Sequence, residues 1–169
     1  MIRETLPVGL LSCNCTILGD EVSREAIVVD PGYDLPRILS LLTKHQLTVK
    51  KIFITHAHID HIASAQTLKQ ITGAPIFYNQ QDLPLVAMMD VQATWLDLPV
   101  PIVLPPDHSP SDDEVVGVIG ISAQVICTPG HTEGCVWQLG LAHFGSLFWP
   151  TPGTLGLRGY CSVLLERSP

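Results

Sequence analysis

Four potential metal ligands lie within six residues of one another, directly after a short apolar segment. The segment Lys51–Thr55 is typical of a buried β-strand, and it is followed by His56, His58, Asp60 and His61. Because side chains alternate along an extended backbone, the first three are expected to project to one side, while His61 points elsewhere, towards a second ion. Imidazole and carboxylate ligands suit zinc, iron or manganese. The sequence therefore predicts a metal site at a strand end.

A second histidine follows a later predicted strand. Ser122–Cys127 favours a strand, and residues 128–134 (TPGHTEG) then place a Pro-Gly turn and His131 at its end. A turn histidine on its own is ordinarily a surface residue. Its presence beside the first cluster in one small domain favours a shared site instead.

Together these segments resemble the metallo-β-lactamase superfamily. The motifs are His-x-His-x-Asp-His followed by Pro-Gly-His-Thr-x-Gly, supported by Asn14-Cys15, Val29-Asp30-Pro31-Gly32 and Thr55. The resemblance covers roughly residues 2–140 and is strongest to type II glyoxalases (hydroxyacylglutathione hydrolases). It implies an α+β fold, an αββα sandwich with the site at the edges of the sheets.

The resemblance also implies roles for individual residues. His56, His58 and His131 would bind a first metal ion, and Asp60 and His61 a second. Asp60 would also orient the nucleophile, which makes it the predicted catalytic residue. The expected cofactor is zinc, with two ions in the family, and iron and manganese are the alternatives.

The last part of the sequence departs from this family pattern. The family continues with a strand ending in Gly-Asp-Thr-Leu-Phe, whose aspartate bridges both metals, and later with Gly-His-Gly. Here no aspartate follows Asp113 and no histidine follows His143. The sequence therefore predicts a metallo-β-lactamase-like domain over residues 1–140, incomplete at its C-terminus, that holds one ion or a weak second one. Residues 141–169 form an atypical tail.

A truncated or frameshifted gene end would explain this tail. Residues 158–161 (RGYC) can be encoded by bases that spell Gly-Asp-Thr from the second position, and the nucleotide sequence tests this hypothesis. His143, within the tail, is expected to be an ordinary loop histidine rather than a replacement ligand.

The function implied by the resemblance is hydrolysis of a glutathione thioester or a related acyl compound by metal-activated hydroxide. Two alternatives stay open. One is an inactive remnant that binds a single ion weakly through three histidines, and the other is a mononuclear iron sulfur dioxygenase. Because the bridging aspartate and the last histidine are absent, the sequence leaves open whether this chain is an enzyme.

Composition limits the other classes of function. Nine Lys and Arg against 16 Asp and Glu give a net charge of -7, which disfavours a nucleic-acid partner. Fourteen prolines and 13 glycines interrupt the apolar runs, so no membrane span is expected. The N-terminal residues lack the apolar core of a signal peptide. We therefore expect a cytoplasmic protein with a small-molecule thioester substrate.

Hydrophobic periodicity predicts the secondary structure that carries these motifs. A helix is expected to be capped by Asp34, and a second helix is expected to run from about residue 60 to Thr72. The further predictions are strands at Ile2–Val8, Cys15–Leu18, Glu25–Asp30 and Lys51–Thr55, a short helix near Gln81–Met89, and a hairpin of Val115–Ile119 with Ser122–Cys127.

Overall fold

The computed structural model describes the backbone of residues 1–141 and the side chains of residues 1–136. The predicted tail, residues 141–169, lies outside this range apart from the backbone of Leu141, and so do His143 and residues 158–161. Within it the elements are β1 Ile2–Val8, β2 Cys13–Gly19, β3 Glu25–Val29, α1 Leu35–Lys44, β4 Thr48–Phe53, α2 Ile59–Ile62, α3 Ala65–Thr72, β5 Ile76–Phe77, α4 Leu83–Val86, α5 Met89–Trp95, β6 Val115–Val118, β7 Ile121–Cys127 and β8 Val136–Leu141.

The strands form two sheets. The first has the order β1-β2-β3-β4-β5, with the first two pairings antiparallel and the last two parallel. The second is an antiparallel β6-β7-β8 sheet. Because β3 and β4 are parallel, the loops that follow them leave the sheet at the same edge. This edge is where the histidine motif begins.

Strand β3 shows why the first sheet occupies the middle of the fold. Ala26 and Val28 belong to a core shared with the helices, whereas Ile27 and Val29 belong to a core shared with the second sheet. All four side chains are fully buried. A strand covered on both faces requires a continuous apolar run rather than an alternating one.

The layers are therefore helices, the five-stranded sheet and the three-stranded sheet. The predicted α+β fold is confirmed. On the outer face of the second sheet, Val115 and Ile126 are 58% and 37% exposed. No helix in residues 1–141 has both the length and the apolar character needed to cross a bilayer.

Two predictions about helices were wrong in part, and in both cases tertiary contacts outweighed local preference. Asp34 occupies the predicted N-cap position of α1, but its side chain makes no cap hydrogen bond and instead accepts one from Gly9 N at 2.9 Å. The helix expected from residue 60 to Thr72 is split into α2 and α3. At the break, Ser64 N donates to Pro31 O and Ser64 Oγ to Gly32 O, both at 3.0 Å, which ties the split to the loop after β3.

Candidate metal centre

The site begins where β3 and β4 end. Asp30, directly after β3, accepts hydrogen bonds from Thr55 N at 2.7 Å and from Thr55 Oγ1 at 2.8 Å. Asp30 has a φ of 52°, a left-handed conformation that costs energy in a residue other than glycine. The two hydrogen bonds accompany this conformation and fix the backbone just before His56.

Three histidines converge at this edge, and we call them the three-histidine cluster: His56, His58 and His131. His56 follows β4, His58 immediately precedes α2, and His131 lies in the loop between β7 and β8. One nitrogen from each ring lies within 4.8 Å of the others. The ring centroids are 4.7 to 4.8 Å apart. The structure thus brings the predicted first-metal residues together from two distant parts of the chain.

One nitrogen of this cluster is buried without a partner. His56 is only 2% exposed, and its Nε2 has no hydrogen-bond partner among the residues that the structure describes. Its other nitrogen, Nδ1, lies 3.2 Å from Thr55 Oγ1. An unsatisfied buried polar atom costs about 1–3 kcal/mol, and a metal ion would remove this cost. Three imidazoles are also an established ligand set for zinc. The residues therefore fit a bound cation.

Electrostatics keeps these imidazoles in the form that binds metals. Burial lowers the pKa of His56 far below its ordinary value, and the nearby rings of His61, His58 and His131 lower it further. Burial, followed by the proximity of His131, also lowers the pKa of His58. Both rings are neutral at physiological pH, which is the state required of a histidine ligand.

Next to this trio lies a second group, which we call the carboxylate–histidine cluster: Cys13, Asp30 and His61. Their potential ligand atoms also lie within 4.8 Å of one another. His61 Nδ1 is 3.0 Å from Asp30 Oδ2. Burial by itself would lower the pKa of His61, but the carboxylates of Asp30 and Asp60 outweigh it and raise the pKa overall. The group therefore contains an internal ion pair.

Asp60 lies at the border of the two clusters. Its Oδ2 is 3.5 Å from His61 Nε2, so the two residues predicted for a second metal are neighbours. The expected extended backbone through Asp60 was wrong, because α2 begins at Ile59. The sequence had placed Asp30 near the site, in a supporting or structural role. In the structure Asp30 is the closer carboxylate to His61.

Sequence reasoning missed Asp82, a buried carboxylate that connects the two histidine segments. Asp82 is 2% exposed. Its Oδ2 accepts from Ala57 N at 2.9 Å and from Thr132 Oγ1 at 3.1 Å, and its Oδ1 accepts from Gly134 N at 2.8 Å. Ala57 lies between His56 and His58, and Thr132 follows His131. Local sequence contains no signal for these contacts, because Asp82 is 25 and 50 residues away from its partners.

Backbone hydrogen bonds also fix the two ends of the loop that carries His131. Val136 N donates to Thr55 O at 2.9 Å, which joins the start of β8 to the end of β4. Thr128 N donates to Cys135 O at 2.9 Å and closes the loop on itself. These bonds, with those of Asp82, fix His131 relative to the other two histidines.

The clusters open into a cavity of about 470 Å³. This volume is typical of small-molecule sites. One part of its lining is polar and contains the three-histidine cluster, Asp60 and His61. The other part is apolar, and its side chains are Leu11, Leu85, Met88, Trp95 and Leu96.

The sequence model of the metallo-beta-lactamase superfamily matches residues 8–141 of this chain. The chain belongs to this superfamily. It is 34% identical over 143 residues to an uncharacterised protein of Aquifex aeolicus, covering 82% of this chain and 65% of the other. It is 30% identical over 133 residues to the hydroxyacylglutathione hydrolase GloC of Haemophilus influenzae, covering 78% and 62% respectively. The chain thus spans a little less than two thirds of the length of these curated relatives.

Two solved structures have a similar fold. BLEG-1, a B3 metallo-beta-lactamase, superposes with a TM-score of 0.74 at 24% identity, over 82% of this chain and 67% of that one. TTHA1623, determined in a di-iron-bound form, superposes with a TM-score of 0.67 at 28% identity, over 82% and 66%. The superfamily fold and the histidine clusters together support metal binding, with the identity of the metal left open.

Proposed function

We propose that this superfamily member is a metal-dependent hydrolase that cleaves a thioester, with acyl thioesters of glutathione as the leading substrate class. The observation that carries the proposal is the three-histidine cluster in the same cavity as Asp60, with a buried His56 Nε2 that has no hydrogen-bond partner within residues 1–141. The similarity to a hydroxyacylglutathione hydrolase of Haemophilus influenzae supports the choice of substrate.

The residues of the site have distinct roles in this proposal. His56, His58 and His131 would hold the first cation, and Asp60 and His61 are the candidates for a second, weaker one. A bound cation would supply a water of lowered pKa near neutral pH and would polarise the acyl carbonyl. Asp60 accepts a hydrogen bond from the attacking water and orients it. The water oxygen bonds to the acyl carbon, the C–S bond breaks, one proton of the water passes to the departing sulfur, and the products are a carboxylic acid and a thiol.

Zinc is the preferred metal because three imidazoles with an open fourth position are a frequent catalytic zinc arrangement. Iron and manganese are the alternatives, since imidazole with carboxylate suits them as well. Metal analysis of the protein purified from a host with balanced metal supply tests this choice. A cytoplasmic location is part of the same proposal, because glutathione thioesters are substrates of a reducing compartment.

The proposal is tested by turnover of S-lactoylglutathione by the zinc-loaded protein. We expect hydrolysis that disappears in His58→Ala and persists in His45→Ala, a matched variant whose ring instead contacts Glu4 on another face. Equal rates in the wild-type protein and His58→Ala would exclude the hydrolase. Oxygen uptake on glutathione persulfide by the iron-loaded protein would identify the alternative sulfur dioxygenase.

A second candidate function is metal binding without catalysis. The observation in its favour is the internal pairing of His61 with Asp30, which leaves the three-histidine cluster as the better-prepared site for one ion. In that case the protein binds one zinc ion per chain and hydrolyses no thioester. Metal stoichiometry and the turnover assay on one preparation distinguish the two functions.

A further inference from the structure

Several large apolar side chains line the same cavity as the three-histidine cluster. Together we call them the apolar wall, which consists of Leu11 from the β1–β2 turn with Leu85, Met88, Trp95 and Leu96 from the region of α4 and α5. Trp95 is 74% exposed, Leu11 55% and Met88 46%. Large apolar side chains grouped around a cavity mark a binding surface, because leaving them in water is unfavourable.

The apolar wall is held in a fixed position relative to the metal centre. Gln92, on α5, is 6% exposed, and both the oxygen and the nitrogen of its side-chain amide form hydrogen bonds. Its Oε1 accepts from Ile59 N at 2.9 Å, and its Nε2 donates to Leu85 O at 3.0 Å. Ile59 is the first residue of α2, the helix that carries Asp60 and His61. One buried amide therefore connects the wall to the helix that carries the reactive groups, and the spacing between them is built into the fold.

We propose that the apolar wall is the subsite for an uncharged alkyl or aromatic group of the substrate, adjacent to the bond that is cleaved. This inference rests on the proposed function for the identity of the reaction, but it concerns a separate part of the cavity. An alkyl chain of about four to six carbons bound here would bury apolar surface on Trp95 and Met88. An anionic acyl group would instead approach the carboxylate of Asp60, which lines the same cavity.

Burial of apolar surface sets the expected effect. Each methylene group transferred from water to an apolar surface favours binding about three- to four-fold. We therefore expect preference for longer acyl chains to rise by this factor per carbon until the wall is covered. Truncation of Trp95, which presents the most exposed side chain of the wall, should remove most of this preference.

The first test measures binding without catalysis, on the full chain without metal. The probes are two stable thioethers, S-methylglutathione and S-hexylglutathione, with Kd measured by calorimetry. We expect the hexyl compound to bind at least about 30-fold more tightly, and Trp95→Ala to reduce this ratio to within about five-fold. The matched control is Ile71→Ala, which truncates another exposed apolar side chain, 55% exposed and located on α3. This variant should leave the ratio of the two Kd values unchanged.

The second test uses the zinc-loaded protein with acetyl, butanoyl and hexanoyl thioesters of glutathione. We expect kcat/KM to rise with chain length in the wild-type protein and in Ile71→Ala, and to rise less in Trp95→Ala. Equal Kd values for the two thioethers, binding of neither, or a ratio that Trp95→Ala does not change would overturn the subsite. Tight hexyl binding with no turnover of any thioester would instead retain the subsite and exclude the hydrolase.

Discussion

Two groups of potential ligands lie side by side at one edge of the fold, and they differ in how far the protein itself satisfies them. In the three-histidine cluster, His56 Nε2 is buried and has no hydrogen-bond partner within the described part of the chain. In the carboxylate–histidine cluster, Asp30 accepts from Thr55 and pairs with His61. The first group, which we call the open cluster, therefore has a nitrogen that is free to bind a metal ion. In the second group, the closed cluster, the carboxylate and the imidazole already bind each other.

This difference separates residues prepared for an external ion from residues that support them. A buried polar atom without a partner is unfavourable until a ligand arrives, whereas a satisfied carboxylate fixes its neighbours whether or not a ligand is bound. We therefore expect the three-histidine cluster to govern metal affinity and the carboxylate–histidine cluster to contribute mainly orientation.

The largest effect should come from removing a ligand of the open cluster. His131→Ala takes away one of three imidazoles, and because His131 is exposed in a loop, the fold should tolerate the change. We expect zinc affinity to fall by more than about 100-fold, beyond the 10–100-fold typical of supporting residues. Competition titration with a chromophoric chelator measures it, with His108→Ala as the control because that ring is also exposed. Unchanged affinity in His131→Ala would remove this residue from the metal site.

A smaller effect is expected from Asp82, which supports the open cluster without belonging to it. Asp82→Asn replaces one carboxylate oxygen by an NH2 group, which cannot accept a hydrogen bond. At least one of the bonds from Ala57 N, Thr132 Oγ1 and Gly134 N is therefore lost. We expect a 10–100-fold weaker zinc affinity. The control is Asp90→Asn, an exposed acid on α5.

A purely structural role for Asp82 would show a different pattern. In that case the melting temperature of the metal-free protein would fall while the zinc affinity of its folded fraction stayed at the wild-type value. The visible spectrum of the cobalt-substituted protein provides a second readout, since it reports ligand geometry directly. An identical spectrum in Asp82→Asn would argue against positioning of the histidines.

Much of the fold was predictable because its signals are local. The run of Ala26 to Val29 predicts a buried strand, and Gly120 between two alternating segments predicts the hairpin, which the structure places at β6 and β7. Two predictions were wrong because the deciding contacts are not local: the side-chain cap by Asp34 and the uninterrupted helix to Thr72. Contacts with Gly9 and with the loop after β3, both remote in sequence, decided those positions.

In the candidate site, too, the residues with local sequence signals were predictable and those held by long-range contacts were not. Local spacing predicts that His56 and His58 lie close together, and the position of His131 after a second strand favours a site shared with them. The family resemblance then implies that all three bind one metal ion. Asp82 and Gln92 form hydrogen bonds to residues at least 25 positions away in sequence, apart from the bond of Gln92 to Leu85. No periodicity or motif encodes such contacts. Residues that support a site are therefore harder to find from sequence than those that form it.

The two clusters should also respond to pH with opposite sign in the metal-free protein. His56 and His58 have lowered pKa values, so below about pH 6.5 the unfolded chain binds protons that the folded chain does not. The free energy of unfolding should then fall on acidification, by up to about 1.4 kcal/mol per pH unit for each such histidine. The raised pKa of His61 contributes stability that is present below about pH 6.5 and is lost as pH rises through its folded value.

Denaturant unfolding of the metal-free protein between pH 5.5 and 8.5 measures both effects. His58→Gln should lose less stability than the wild-type protein on the acid side. His61→Gln should lose less on the alkaline side. Parallel curves for all three proteins would show that neither cluster contributes to the pH dependence of folding.

The smallest effect is expected from Cys13, the thiol of the carboxylate–histidine cluster. Burial raises the pKa of this thiol well above its ordinary value, and the charges of Asp30 and Asp60 raise it further, so it stays protonated at neutral pH. Because the thiolate is the form that binds metals, a cation at Cys13 would have to displace this proton, which weakens binding there. Cys13→Ala should therefore change zinc affinity by less than about three-fold, within the range of a small packing change. A loss as large as that of His131→Ala would mean that the ion lies in the closed cluster, and the distinction between the two groups would have to be reversed.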